Sequence, residues 1–196
     1  MDLKARSANI KPQDIYLTDT TAVSIMLSTP DYTLHLQSPA DEAAILALHE
    51  RTFGPGRFAR TAFRIRETAD TAGELCFIAR ATASGKMVGS VILSHITIGG
   101  TPSLLLGPLT VTPEYKSRGA GKLLMRQSVD SARAGEYQSI ILVGDEPYYG
   151  PFGFRVIPHG QVKLPGPVDP ARLLACVLTD DAALTAAGDV KGAHPG

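Results

Sequence analysis

Tryptophan is absent, cysteine occurs only twice, and neither sign of charge prevails in this chain of 196 residues. The missing tryptophan excludes nothing. The 19 Lys and Arg against 19 Asp and Glu leave no overall attraction for polyanions, which speaks against dedicated binding of nucleic acid or of an anionic membrane. Cys76 and Cys176 sit far apart among apolar neighbours, and no Cys-x-x-Cys occurs. The five histidines, His35, His49, His95, His159 and His194, fall into no metal-ligand spacing, so no metal is expected. Two buried thiols in a reducing compartment is the reading. No apolar run approaches the roughly 18 residues that span a bilayer. Near the N-terminus Lys4, Arg6 and Lys11 are accompanied by Asp2, Asp14 and Asp19, and the short patch Ala22–Leu27, interrupted by Ser24, comes too late for a signal peptide. A cytoplasmic protein is expected.

What is present suits one globular domain. Hydrophobic residues make up 44% of the chain, with 19 Gly and 14 Pro as punctuation, enough for a core and too interrupted for a coiled coil. Residues 1–30 show no period and are read as an N-terminal extension; residues 31–196 are read as a single domain. Tyr32, Leu34 and Leu36 alternate with polar residues, which predicts a strand. Ser38-Pro39-Ala40-Asp41-Glu42 opens a helix to about Phe53, with Ser38 as cap and Pro39 in the first turn, and Gly54-Pro55-Gly56 stops it. A second helix is expected over Arg57 to Thr68, with Arg57, Arg60 and Arg64 on one face. That face is either solvated or in contact with an anionic substrate or cofactor.

Leu75 to Ala81, Met87 to Ile98 and Leu104 to Val111 are β-rich runs separated by turns, so an antiparallel meander is predicted. Gly119 to Ala134 reads as a helix with Met125, Val129 and Ala132 on its apolar stripe and Lys122, Arg126 and Arg133 outside. Ser139 to Val143 reads as a central strand, Pro147 to Phe152 as a short helical piece, and Leu173 to Thr179 as the last strand. The predicted order is β-α-α-β-β-β-α-β-α-β, an α/β fold with a mixed, mostly antiparallel sheet flanked by helices.

Chemistry concentrates in LLLGPLTVTPEYKSRGAGKLLM, Leu104 to Met125. A strand enters a loop, and the loop enters a helix that starts Gly119-Ala120-Gly121-Lys122. Glycines there allow close approach to the main chain, and the free N–H groups of a helix start attract anions. Lys116, Arg118 and Lys122 add positive charge. It is no P-loop, because Leu123 follows Gly121-Lys122 and Lys116 holds the first glycine position; it is no dinucleotide fingerprint, because Leu124 holds the third. Upstream, Gly107-Pro108 breaks an apolar run and implies a bulge. A bulge splays this strand from Ser139 to Val143 and leaves main-chain groups in a wedge, where an amide-bearing arm such as pantetheine pairs like an added strand. Pyrophosphate at the helix start with pantetheine in the wedge describes coenzyme A.

The segment Lys116-x-x-Gly119-x-Gly121 resembles the acetyl-CoA motif of the GNAT superfamily of N-acetyltransferases, with Lys116 where Gln or Arg is usual. Tyr149-Gly-Pro-Phe-Gly153-Phe154 is similar to that family's Tyr-x-x-x-Gly-Phe signature. The resemblance covers roughly Tyr32 to Phe154. It implies a sheet splayed between the fourth and fifth strands. It also implies an enzyme that transfers acetyl from acetyl-CoA to a primary amine by direct attack, the acceptor being a small molecule or peptide and the protein a monomer or homodimer. The alternative is an acyl-CoA-binding module without turnover. By the same resemblance Leu109, Thr110 and Val111 offer main-chain groups to pantetheine, with the Leu109 N–H polarising the thioester carbonyl. Lys116, Ser117, Arg118, Gly119, Ala120, Gly121 and Lys122 cradle the pyrophosphate, and Tyr149 protonates the departing thiolate. For the base, Asp145, Glu146 and His95 are the titratable groups expected near the cleft, Asp145 foremost.

Overall fold

The computed structural model of the chain describes residues 31–54, 61–135, 137–181 and 183–195. The extension expected over residues 1–30, the Pro55-Gly56 stop, and Arg57 and Arg60 lie outside them.

Strand β1 (Tyr32–Leu36) buries Tyr32 and Leu34. After it Ser38 donates from its N and its Oγ to Asp41 Oδ2, at 3.0 and 2.6 Å. A 3-10 turn over Pro39–Asp41 then leads into α1 (Glu42–Phe53). The described part of the second helix, α2 (Thr61–Arg66), ends two residues before the expected Thr68. The meander follows as expected: β2 (Phe77–Ala81), β3 (Met87–Ile98) and β4 (Thr101–Val111) pair antiparallel in turn. Two boundaries move. Leu75 closes a 3-10 turn instead of opening β2, and β4 begins at Thr101 because Gly99-Gly100 alone make the turn.

Helix α3 (Ala120–Arg133) buries Leu124, Met125, Val129 and Ala132 and leaves Lys122, Arg126 and Arg133 exposed. This is the amphipathic stripe that its spacing dictates. Strand β5 (Ser139–Val143) is central, parallel to β4 on one side and antiparallel to β8 (Leu173–Val177) on the other. Between them lie α4 (Glu146–Tyr149), a 3-10 turn over Gly150–Phe152, and the two-residue strands β6 (Arg155–Val156) and β7 (Val162–Lys163).

β8 is not the last strand. β9 (Gly188–Gly192) pairs with β3 at Ile96–Ile98 and with β7. The main path runs β1-β2-β3-β4-β5-β8-β6. One face of the sheet buries Phe77, Leu93, Leu124, Met125 and Phe154; the other buries Ile65, Ile98, Leu105, Ile141 and Leu173. Each such side chain removed from water contributes about 1.5–3 kcal/mol. Among the described residues no helix is long and apolar enough to cross a membrane.

Candidate active site

The expected bulge is present. Val91 opposes Leu109 and Leu93 opposes Leu106, so Gly107 and Pro108 together face the single residue Ile92. Pairing of β4 with β5 is confined to Leu104 with Ile140 and Leu105 with Ile141. Beyond Leu105 the two parallel strands separate. A wedge opens between β4, from Leu106 onward, and Leu142, Val143 and Gly144.

The ladder sets which groups face the wedge. Thr112 N donates to Val88 O at 2.8 Å, and in an antiparallel pair hydrogen-bonded and non-hydrogen-bonded positions alternate. Ser90 with Thr110 is therefore a bonded pair, while Gly89 with Val111 and Val91 with Leu109 are not. The main-chain groups of Leu109 and Val111 point away from β3, toward the opening. Thr110 behaves differently. Its main chain is used by β3, and its buried Oγ1 has no partner among the described residues.

A cavity of about 880 Å³ occupies this wedge. Leu106 to Leu109 and Leu142 to Asp145 line it from the two strands, and Tyr149 closes it. Gly144 is demanded by that tyrosine, since a Cβ there would overlap the Tyr149 ring. Tyr149 also packs edge-on against Tyr148, with ring centroids 4.8 Å apart, and against Phe154 at 6.0 Å. Burial, followed by the neighbouring Tyr148 and Asp145, pushes its phenol up to about 12. The hydroxyl therefore keeps its proton throughout the neutral range and is fit to donate it.

Lys116, Ser117, Arg118 and Gly119 form an exposed turn outside the cavity lining. Ser117 has φ +60° and Gly119 φ +99°, so the chain reverses through two left-handed residues before Ala120, which is fully buried, starts α3. Lys122 is exposed, and Arg118 stacks over the Tyr115 ring at 5.6 Å. The turn and the wedge meet at Tyr148, whose hydroxyl would lie 2.7 Å from a Cβ on Gly121.

The acid–base candidates separate. Asp145 lines the cavity but is exposed and paired, its Oδ1 lying 3.1 Å from Arg172 Nε. Glu146 is half-buried and does not line the cavity. His95 is not near it. It sits opposite Leu104 toward the far end of β3, its Nδ1 shares a 3.1 Å hydrogen bond with Tyr137 Oη, and it lines a different cavity with Glu74 and His194. The alternation of β3 placed His95 on a strand without saying which end of that strand borders the wedge.

Three side chains that the sequence reading left without a role line the main cavity. Arg66 Nη1 donates to Gly107 O at 3.0 Å and so ties α2 to the bulge. Buried His49 shares a 3.3 Å hydrogen bond between its Nε2 and Ser90 Oγ. Arg172 holds Asp145. The spacing of Leu46, His49 and Phe53 on one face of α1 was the signal available for the second of these. Arg64, by contrast, is exposed and does not line the cavity. Among the described residues no group of three His, Cys, Asp or Glu gathers as a metal site.

Known proteins are similar to this chain. The model of the acetyltransferase (GNAT) family matches residues 42–154. The uncharacterized N-acetyltransferase YjhQ of Escherichia coli K12 is 27% identical over 172 residues, covering 84% of this chain and 93% of its own. The uncharacterized N-acetyltransferase YhbS of the same strain is 27% identical over 152 residues, covering 76% and 89%. The crystal structure of the E. coli GNAT protein YhbS in complex with CoA superposes with a TM-score of 0.68 at 23% identity, over 90% of this chain and 94% of that one. A Brucella melitensis GNAT acetyltransferase in complex with acetyl-CoA gives 0.60 at 23% identity, over 83% and 96%. The matched span runs from the first residue of α1 through the bulged strand and the glycine turn to Phe154, more than half of the sequence, and the chain belongs to the GNAT acetyltransferase family.

Proposed function

We propose that this protein transfers the acetyl group of acetyl-CoA to a primary amine by direct attack. The observation that carries the reading is the wedge: Leu109 lines a cavity bordered by a half-buried, protonated tyrosine, and its main-chain groups, like those of Val111 beyond the lining, turn away from β3 and have no strand partner there among the described residues. The similar proteins of E. coli and Brucella melitensis were solved with CoA and acetyl-CoA, which supports the same ligand here. The residues suit it. A pantetheine arm carries amides that pair with Leu109 and Val111 as an added strand would, and the start of α3, whose first N–H groups precede the first intrahelical bond from Leu123 N to Gly119 O, lies among the cations Lys116, Arg118 and Lys122 and suits a pyrophosphate.

Acetyl-CoA brings the activated acyl group; the protein's residues do the rest. The Leu109 N–H polarises the thioester carbonyl. The amine nitrogen forms the new C–N bond as the C–S bond breaks with its electron pair on sulfur. Tyr149 gives its proton to that sulfur and regains one from solvent, while the nitrogen releases its surplus proton to solvent, so amine plus thioester becomes amide plus thiol. Asp145 lies at the cavity edge, held by Arg172.

The test is the release of thiol from acetyl-CoA in the presence of amines. Tyr149→Phe keeps the ring that packs on Tyr148 and Phe154 and deletes only the hydroxyl. A positioned acid contributes roughly 10²–10⁴-fold, so kcat should fall about 100-fold while acetyl-CoA affinity changes less than about threefold. A variant with undiminished kcat overturns the role of Tyr149. No amine-dependent thiol release from the wild type overturns the transferase reading.

A further inference from the structure

The wall of the cavity away from the wedge carries an apolar stretch. On α1, Leu46 and Phe53 line it, and Leu46 is left 55% exposed, unusually open for a leucine. Half-buried Ala62 and Phe63 extend this surface along α2, and Pro167 and Val168 face it from the loop before β8. Isolated exposed leucines are ordinary, but one that continues a run of partly open apolar side chains into a cavity marks a surface for an apolar ligand.

The charges on the same lining balance, Arg66 and Arg172 against Asp145 and Asp169, and each has a hydrogen-bond or ion-pair partner. Arg66 donates to Gly107 O and lies over the Phe63 ring at 5.6 Å; Arg172 is bound to Asp145; Asp169 Oδ1 accepts from Ala171 N at 3.0 Å. A polycation or polyanion entering here would have to break such pairs or lose its hydration without compensation. An acceptor whose only charge is its reacting amine loses nothing of that kind. The two sides of the cavity are also joined, because Thr61 Oγ1 on α2 donates to Pro167 O at 2.7 Å. That bridge suits a small molecule threaded beside Tyr149 rather than a loop of a folded protein.

We infer that the acceptor is a small monoamine with an aryl or branched-alkyl body, seated between α1, α2 and the 167–168 loop with its nitrogen toward Leu109 and Tyr149. The inference rests on the transferase reading above and names its acceptor class. The nitrogen gains the acetyl group and loses one proton to solvent; sulfur takes the Tyr149 proton, as in the balanced transfer already described.

The test compares 2-phenylethylamine, spermidine, glucosamine and a lysine-containing peptide as acceptors for the full chain, reading released thiol. The kcat/KM for 2-phenylethylamine should exceed the others by at least about tenfold, the discrimination that apolar contacts supply. Leu46→Asp, at an exposed position that tolerates change, should raise its KM about tenfold with kcat and the acetyl-CoA-induced rise in melting temperature unaltered. Preference for spermidine, glucosamine or the peptide overturns the inference, as does an unchanged KM in Leu46→Asp. No turnover of any of the four, with the acetyl-CoA melting shift intact, overturns the acceptor class and leaves ligand binding standing. Absence of the shift as well removes the transferase reading beneath it.

Discussion

Tyr149 and Gly144 act as a pair at the scale of single residues. The glycine leaves room for the ring, and the ring closes the wedge. Gly144→Ala should therefore move the Tyr149 ring and lower kcat by about tenfold or more, as misplaced catalytic groups do, with the far-ultraviolet circular dichroism unchanged; a variant of normal kcat would show that the ring position does not matter. The sequence singled out Tyr149 through the Tyr-x-x-x-Gly-Phe signature, and Gly107-Pro108 through the chemistry of proline in a strand. It did not separate Asp145 from its Arg172 partner, because those residues are brought together only when β8 docks on β5. His95 had the right residue type at the wrong end of its strand. Arg66 carried no local pattern pointing to Gly107, 41 residues away in sequence.

Among the elements, the entry to α1 carries the clearest pH signature. Burial pushes the Asp41 carboxyl up, but hydrogen bonds from the Ser38 hydroxyl and N–H, with Arg80 at 2.7 Å, outweigh it and hold the carboxyl below its ordinary value. A carboxylate depressed on folding stabilises the protein above its unfolded pKa, and that contribution is lost as pH falls through the folded value. Asp41→Asn should cost about 1 kcal/mol at pH 7 by urea unfolding, and its gap to the wild type should narrow as pH falls below the ordinary carboxylate range and through the lowered folded value. A gap independent of pH would remove the ion pair and cap from the account. The helices and long strands were legible because their periods persist. β6 and β7, two residues each, are too short to show one, and β9 reads Gly-Asp-Val-Lys-Gly with a single buried apolar residue. Tertiary pairing, not propensity, makes these strands.

For the whole molecule, the decisive feature is one sheet with two buried faces and a gap in its middle. Both faces are packed and the strands on either side are paired, so the gap between β4 and β5 is held open by its frame. The sequence announced that gap through the bulge and the glycine turn, while the acceptor wall stayed hidden because α1, α2 and the 167–168 loop meet only in three dimensions. A ligand that binds only the folded state raises its stability by about 2.7 kcal/mol at a hundredfold excess over Kd, or roughly 5–10 °C for a chain of this size. The central claim is that the wedge and the turn at α3 hold acetyl-CoA, and the melting temperature with and without acetyl-CoA, for wild type and Gly121→Asp, tests it most directly. The substitution crowds the Tyr148 hydroxyl and sets a carboxylate against the phosphates. The wild type should shift by that amount and the variant should not; equal shifts in both, or none in the wild type, would contradict the account.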